Sequence, residues 1–137
     1  MKRVVAPLLL ALALVAIAVA GYRTQRPATA VAIACSDPVA GCAFVHRSLP
    51  ARVRFATRPL PLERFTLRVD APGATRVSAE FQMVGMDMGF NRYDLHRDGD
   101  GGFVAQATLP VCVTGGRAWT LFLELDGTRY SLDFHTG

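Results

Sequence analysis

Residues 117–135 read R-A-W-T-L-F-L-E-L-D-G-T-R-Y-S-L-D-F-H, two alternating apolar runs around Asp126-Gly127. An Asp-Gly pair between alternating runs is typical of a two-residue hairpin loop. With that loop, the large apolar residues of both runs fall on one face. On the other face Glu124 lies opposite Arg129, a charge pair worth about 0.2–1 kcal/mol. The predicted apolar cross-strand pairs are Leu123 with Tyr130, Leu121 with Leu132, and Trp119 with Phe134.

The same period of two continues outward from this hairpin, and no window shows a helical stripe. Predicted strands lie near residues 53–55, 65–69, 77–83, 92–96 and 103–109, separated by Pro and Gly. An odd-length loop at 98–102 would align Leu95 with Ala105 and Tyr93 with Ala107. We therefore predict an all-β domain, an immunoglobulin-like antiparallel sandwich of about seven strands, with an eight-stranded barrel as the alternative.

The chain begins with Lys2 and Arg3, followed by an apolar stretch from Val4 to Gly21. This is the pattern of a signal peptide or a signal anchor, and its length leaves cleavage and retention equally open. Either way the rest of the chain is expected outside the cytoplasm, in the periplasm or at the outer face of the cytoplasmic membrane. The predicted organisation is a leader over 1–21, a linker over 22–34 and one β-sandwich domain over 35–137.

The formal net charge is +4, and two of the positive charges belong to the leader. The arginines that follow alternate with apolar residues along predicted strands, as on a solvated sheet face. This pattern does not predict nucleic-acid binding.

Three cysteines, Cys35, Cys42 and Cys112, lie in the exported part, where disulfides are favoured. Cys35 and Cys42 bracket a turn-rich segment, so their pairing is preferred. Pairing of Cys112 with either one is the alternative.

Residues 83–91 read M-V-G-M-D-M-G-F-N and contain three of the four methionines. Met86 and Met88 are two apart, so an extended backbone places both sulfurs on one side, and flanking glycines leave them accessible. Neutral thioethers are soft ligands suited to Cu(I) in an oxidising compartment. The alternative is flexible apolar filler at one end of the sandwich.

Two thioethers need a further ligand. Met83 is one candidate, although its alternation with Val77, Ala79 and Phe81 favours a core position. His96, near the methionine segment, and Cys112, if unpaired, are weaker candidates. No serine or cysteine stands in a nucleophile motif and no Gly-rich loop leads into a helix, so we predict a protein that is not an enzyme.

The segments F-Q-M-V-G-M-D-M-G-F-N-R-Y, L-P-V-C-V and A-W-T-L-F-L resemble those of small bacterial envelope proteins of the YtkA-like and FixH-like group. The resemblance covers about residues 48–135. It implies an immunoglobulin-type sandwich at the outer face of the cytoplasmic membrane, with roles in copper handling or as an accessory of respiratory oxidases. By motif, Met86 and Met88 would be the family's methionine pair.

Two functions follow as hypotheses. The first is Cu(I) delivery or buffering for respiratory enzymes, with a respiratory oxidase or a copper-handling protein as partner. The second is a metal-free accessory module of a membrane complex.

Overall fold

The computed structural model describes residues 2–25, 29–86, 91–111 and 115–137. Helix α1 spans Lys2–Gln25, and its side chains from Val5 onward are exposed. Its segment Val5–Gln25 is long and apolar enough to cross a bilayer. Such a helix is compatible with a signal or an anchor, and together with a disulfide it indicates export.

The described residues after α1 form ten strands in two sheets. Their bounds are β1 Val31–Ala32, β2 Cys42–His46, β3 Leu49–Phe55, β4 Arg64–Asp70, β5 Val77–Met83, β6 Arg92–Asp94, β7 His96–Arg97, β8 Phe103–Thr108, β9 Ala118–Leu125 and β10 Thr128–His135. The first sheet has the order β1-β10-β9-β5-β6 and the second the order β2-β3-β4-β8-β7. The all-β prediction is therefore confirmed, as two sheets rather than one closed barrel.

One apolar core lies between the sheets, because alternate residues of each long strand face inward. Trp119 and the leucines of β9 come from the first sheet, and Phe55, Leu67 and Val69 from the second. Phe55 stacks edge-on against both Phe65 and Phe134, with ring centres 5.3 and 5.0 Å apart. The Phe55–Phe134 contact joins the two sheets, and the Phe55–Phe65 contact lies within the second sheet.

The β9–β10 hairpin has the predicted register, with Leu125 opposite Thr128 and Trp119 opposite Phe134. Asp126 and Gly127 both have positive φ, 48° and 87°, as a type I′ turn requires. Glu124 and Arg129 are opposite one another as predicted. The Arg129 guanidinium lies 4.3 Å from the centre of the Phe122 ring and contacts Glu80 of β5 at 3.5 Å, so its described ion pair spans β9.

The predicted strand over residues 92–96 is wrong in one respect, because the chain changes sheets at Leu95. Residues of β6 pair with β5, which places Tyr93 opposite Ala79 and not opposite Ala107. Residues of β7 then pair with β8, with His96 opposite Val104. This is the register that was predicted by aligning Leu95 with Ala105. The Leu95 amide donates to Val77 O at 2.9 Å, which holds the crossing point.

Parts of the segment 22–34, which the sequence assigns to a linker, have regular structure. Helix α1 continues to Gln25, and β1 already pairs with β10 in parallel, with Val31 opposite Tyr130. Ile33 is buried in the core. The alternating pattern is too short here to reveal a two-residue edge strand.

The sandwich has two ends that matter for function. The hairpin end carries the Arg47-Ser48 and Asp126-Gly127 turns. The methionine end carries the segments that follow β3, β5 and β8 and the segment that precedes β9. Because β1 runs parallel to β10, the chain from α1 enters the first sheet near the hairpin end. The methionine end therefore lies at the far side of the sandwich from that entry.

Candidate metal site and its surroundings

The methionine segment begins with a tight turn at the end of β5. The Met86 amide donates to Met83 O at 3.3 Å, and Gly85 has φ +82°. A positive φ at the third residue of a four-residue turn is the pattern of a type II turn, which favours glycine there. The turn explains Gly85 and places Met86 just beyond the sheet.

Met83 is buried at the base of this turn, with 5% of its surface exposed. It lies opposite Trp119 on β9. A Cβ atom built on Gly116 would lie 2.9 Å from the Met83 sulfur, so this sulfur packs against the backbone that leads into β9. The lack of a side chain at Gly116 leaves room for the Met83 thioether.

Met86 is 37% exposed at the methionine end. Met88, its predicted partner, and Cys112, a predicted auxiliary ligand, lie outside the described residues. The described residues next to these two segments lie at the methionine end. Val84 N donates to Ala118 O at 3.0 Å, and Leu62 N donates to Leu109 O at 2.9 Å.

His96 is not brought to this end. It pairs with Val104 near the start of β8, whereas the methionine end lies past Thr108. Five residues of strand from Val104 to Leu109 correspond to about 17 Å. Within the described residues there is also no group of three or more His, Cys, Asp or Glu side chains that could hold a metal.

Large apolar side chains are exposed around the methionine end. We call this surface the apolar tip. Its members are Leu60, Leu62, Val84, Met86 and Val111. Leu62 is the most exposed of them at 69%. Such a group of exposed apolar side chains is typical of an interaction surface.

The hairpin end carries a buried polar cluster that the sequence did not suggest. His46 is 1% exposed, and its Nδ1 lies 2.9 Å from the Tyr130 hydroxyl. The same hydroxyl also lies within hydrogen-bond distance of Val45 O, at 3.2 Å. Burial raises the pKa of Tyr130, which keeps the phenol protonated. Among the described residues, Nε2 of His46 has no hydrogen-bond partner.

Asp126 lies beside this histidine, with its Oδ2 3.9 Å from His46 Nε2. Its carboxylate accepts from the Thr75 hydroxyl at 2.7 Å and from the Arg76 amide at 2.8 Å. These bonds, led by the Thr75 hydroxyl and assisted by the Arg47 charge, lower the pKa of Asp126 to about 2. Asp126 therefore ties the β9–β10 turn to the segment before β5. The only signal in the sequence was the Asp-Gly turn itself.

A disulfide joins Cys35 and Cys42, with Cα atoms 5.3 Å apart, which is the pairing preferred from the sequence. The disulfide links the segment that follows β1 of one sheet to the start of β2 in the other sheet. A cleft of about 490 Å³ lies beside it. The cleft is bounded by loop 35–39, by Arg58 and Pro59, and by the last residues of β10.

Comparison with known proteins gives no match to a family model, to a curated protein or to a solved structure.

Proposed function

We propose that this chain is an exported, non-enzymatic protein that binds Cu(I) through Met86 and Met88, with Met83 completing the set. It would deliver or buffer copper for respiratory enzymes at the outer face of the cytoplasmic membrane. The observation that carries the proposal is the turn after β5, which sets an exposed Met86 three residues beyond a Met83 whose sulfur faces the neighbouring loop.

The turn brings the backbones of Met83 and Met86 close together. The first and last Cα atoms of a β-turn lie within about 7 Å, and methionine has three flexible side-chain bonds. Met83 and Met86 can therefore approach a common ligand position by rotation of side chains alone. Met88, two residues farther along, supplies the remaining thioether by the spacing argument made from the sequence.

The donor chemistry of the exported domain also favours thioethers. Cys35 and Cys42 are joined in a disulfide, so neither offers a thiolate. The described part of the chain gathers no cluster of histidines or carboxylates. Methionine sulfur prefers Cu(I) over harder divalent ions, which is the selectivity needed for copper outside the cytoplasm.

The position of the site suits transfer to a partner. The chain from α1 enters near the hairpin end, and the methionine end lies at the other end of β10. Tyr130 and His135 on β10 are separated by about 17 Å of strand. If α1 is retained as an anchor, the site points away from the tether and toward a partner such as a respiratory oxidase. We propose that the domain is an immunoglobulin-like sandwich of the YtkA-like and FixH-like kind.

A competition titration tests the proposal. The full chain in detergent is titrated with Cu(I) under reducing conditions against a chromophoric chelator, beside a Met86→Leu, Met88→Leu double variant. We expect the double variant to bind at least about tenfold more weakly, since it loses two ligands. The matched control is Val84→Leu, an apolar change in the same turn, which should leave the affinity unchanged. Equal affinities for the wild type and the double variant would contradict the proposal.

A second candidate function rests on the apolar tip. The tip exposes large aliphatic side chains at the end opposite the chain entry, as a docking surface would. A metal-free accessory module would use these side chains rather than the thioether sulfurs.

The two candidates predict different cellular phenotypes. Oxidase activity is measured in membranes from cells that carry either the double methionine variant or a Leu62→Ser, Val84→Ser variant. Loss of activity with the methionine variant that added copper restores supports the copper role. Loss only with the Leu62→Ser, Val84→Ser variant, unaffected by copper, supports the accessory role.

A further inference from the structure

The outer edge of β10 is paired over only part of its length. In the β9–β10 ladder the two residues that flank the turn, Leu125 and Thr128, are hydrogen-bonded to each other. The backbone N–H and C=O groups of even-numbered β10 residues therefore point toward β9, and those of odd-numbered residues point toward the outer edge. The Ser131 carbonyl confirms this by accepting from Ile33 N at 2.7 Å on the outer side. Beyond Ile33, the outward N–H and C=O groups of Asp133 and His135 have no backbone partner among the described residues.

The disulfide explains why the edge is left open. Strand β1 stops at Ala32, and the chain then turns away through Cys35 to reach Cys42 in the second sheet. The Pro38 carbonyl accepts from Phe55 N at 2.9 Å, which fixes loop 35–39 to β3. The loop cannot close against β10 while these two attachments hold.

The resulting cleft lies beside the open end of β10. It is about 490 Å³, within the range of about 300–1,000 Å³ seen for ligand sites. The open edge of β10 forms one wall, loop 35–39 the other, and Phe55 and Phe134 line it from the core. At its far end Gly137 N donates to Pro59 O at 3.2 Å, so the open edge is bounded at both ends.

We propose that this cleft binds a short extended peptide segment of a partner protein by β-strand addition to β10. Two outward residues, Asp133 and His135, offer two amides and two carbonyls, which match the backbone of an extended chain and not a helix. The bounds at Ile33 and Pro59 limit the added segment to about four residues at about 3.3 Å each. The inference is independent of the metal proposal, since the described residues that line the cleft include no methionine.

Asp37 and Asp133 line the cleft as well as Arg58, so an acidic side chain of the partner is favoured only at the Arg58 end. Arg58 lies at the Gly137 end, where a Cβ atom built on Gly137 would be 3.4 Å from Arg58 Cδ. None of the described contacts gives the Arg58 guanidinium an acidic partner. A segment with an acidic side chain at that end would pair with it. Substitution of Arg58 should therefore weaken the binding of acidic segments and leave the binding of neutral segments unchanged.

The experiment uses the full chain in detergent and a library of eight-residue peptides with β-branched residues at alternate positions. Peptides are selected for binding, and the best one is remade with N-methyl groups on alternate backbone nitrogens. The protein variants are Asp133→Pro, which removes one outward N–H, and Asp133→Ala, which keeps it. We expect about tenfold weaker binding for Asp133→Pro and for the methylated peptide, and no weakening for Asp133→Ala, which keeps the N–H.

Hydrogen exchange of the Asp133 and His135 amides gives a second readout, because an added strand should protect both. If Asp133→Pro fails to fold, the methylated peptide on the wild-type chain still tests the proposal. The proposal is overturned if no peptide binds with a Kd below about 1 mM. It is also overturned if neither backbone methylation nor Asp133→Pro changes the affinity. A concentration-dependent dimer that the proline abolishes would assign the edge to a second copy of the chain and overturn it as well.

Discussion

Nδ1 of His46 lies 2.9 Å from the hydroxyl of Tyr130, and this contact joins β2 of one sheet to β10 of the other. The two residues are far apart in the sequence, so the bond closes the sandwich at its hairpin end. Removing the hydroxyl by Tyr130→Phe leaves a buried ring nitrogen and Val45 O without their partner. We expect a loss of about 1–3 kcal/mol in the free energy of unfolding, measured by chemical denaturation.

His96→Ala is the control for that change, because His96 is exposed on a two-residue strand and should cost no more than about 0.5 kcal/mol. Unchanged stability of Tyr130→Phe would show that the hydroxyl bond adds nothing to the fold.

Asp126→Asn tests the charge at the same end. The Asn-Gly pair keeps a favoured type I′ turn, so the substitution removes only the charge. The folded pKa of Asp126, about 2, is below the unfolded value of about 3.9. The ionised carboxylate therefore stabilises the fold above about pH 4, and this contribution is lost as the pH falls through about 2. Urea denaturation from pH 7 to pH 2 should show the variant less stable at neutral pH, with the difference falling steeply between about pH 4 and pH 2. A constant difference across that range would contradict the assignment.

The disulfide gives a third prediction. Cys35 and Cys42 close a loop with a sequence separation of 7, for which the chain-entropy model gives about 2–3 kcal/mol of stabilisation. A Cys35→Ser, Cys42→Ser variant should lose about that amount in thermal unfolding. Cys112→Ser should keep it, and should still form one disulfide by mass spectrometry. A Cys112→Ser chain with no disulfide would show that Cys112 takes part in the pairing.

Gly116 and Met83 should be energetically coupled. An added Cβ at Gly116 would meet the Met83 sulfur at 2.9 Å, closer than ordinary van der Waals contact. Gly116→Ala should therefore cost less when Met83 is already alanine. A double-mutant cycle by denaturation is expected to give a coupling of about 0.5–3 kcal/mol. Additive effects would mean that the sulfur does not lie against this backbone.

The pairing of the β9–β10 hairpin could be predicted from the sequence. Few contacts between strands that are distant in the sequence could be. The hairpin register follows from alternation on both faces together with a turn that allows one loop length. The change of sheet at Leu95 was not predictable, because Tyr93 and Leu95 keep the same alternation whichever sheet they join. A strand pattern specifies which face is buried and not which neighbour is chosen.

The polar cluster was missed for a related reason. His46 stands next to Val45 in a short strand and resembles an exposed residue, and its partners Tyr130 and Asp126 belong to another sheet. No local spacing relates these positions. The methionine turn was easier, because Gly85 between Val84 and Met86 marks a turn by composition alone. Its remaining member, Met88, lies outside the described residues.

Met86 and Met88 are proposed to bind copper together. The most direct test labels the methionine methyl groups with carbon-13 in the full chain and follows their NMR signals as Cu(I) is added under reducing conditions. We expect the Met86 and Met88 signals to shift together and to saturate at stoichiometric copper, the Met83 signal to shift with them, and the Met1 signal to stay in place. Signals that all stay in place, or that all drift weakly without saturation, would contradict the proposal.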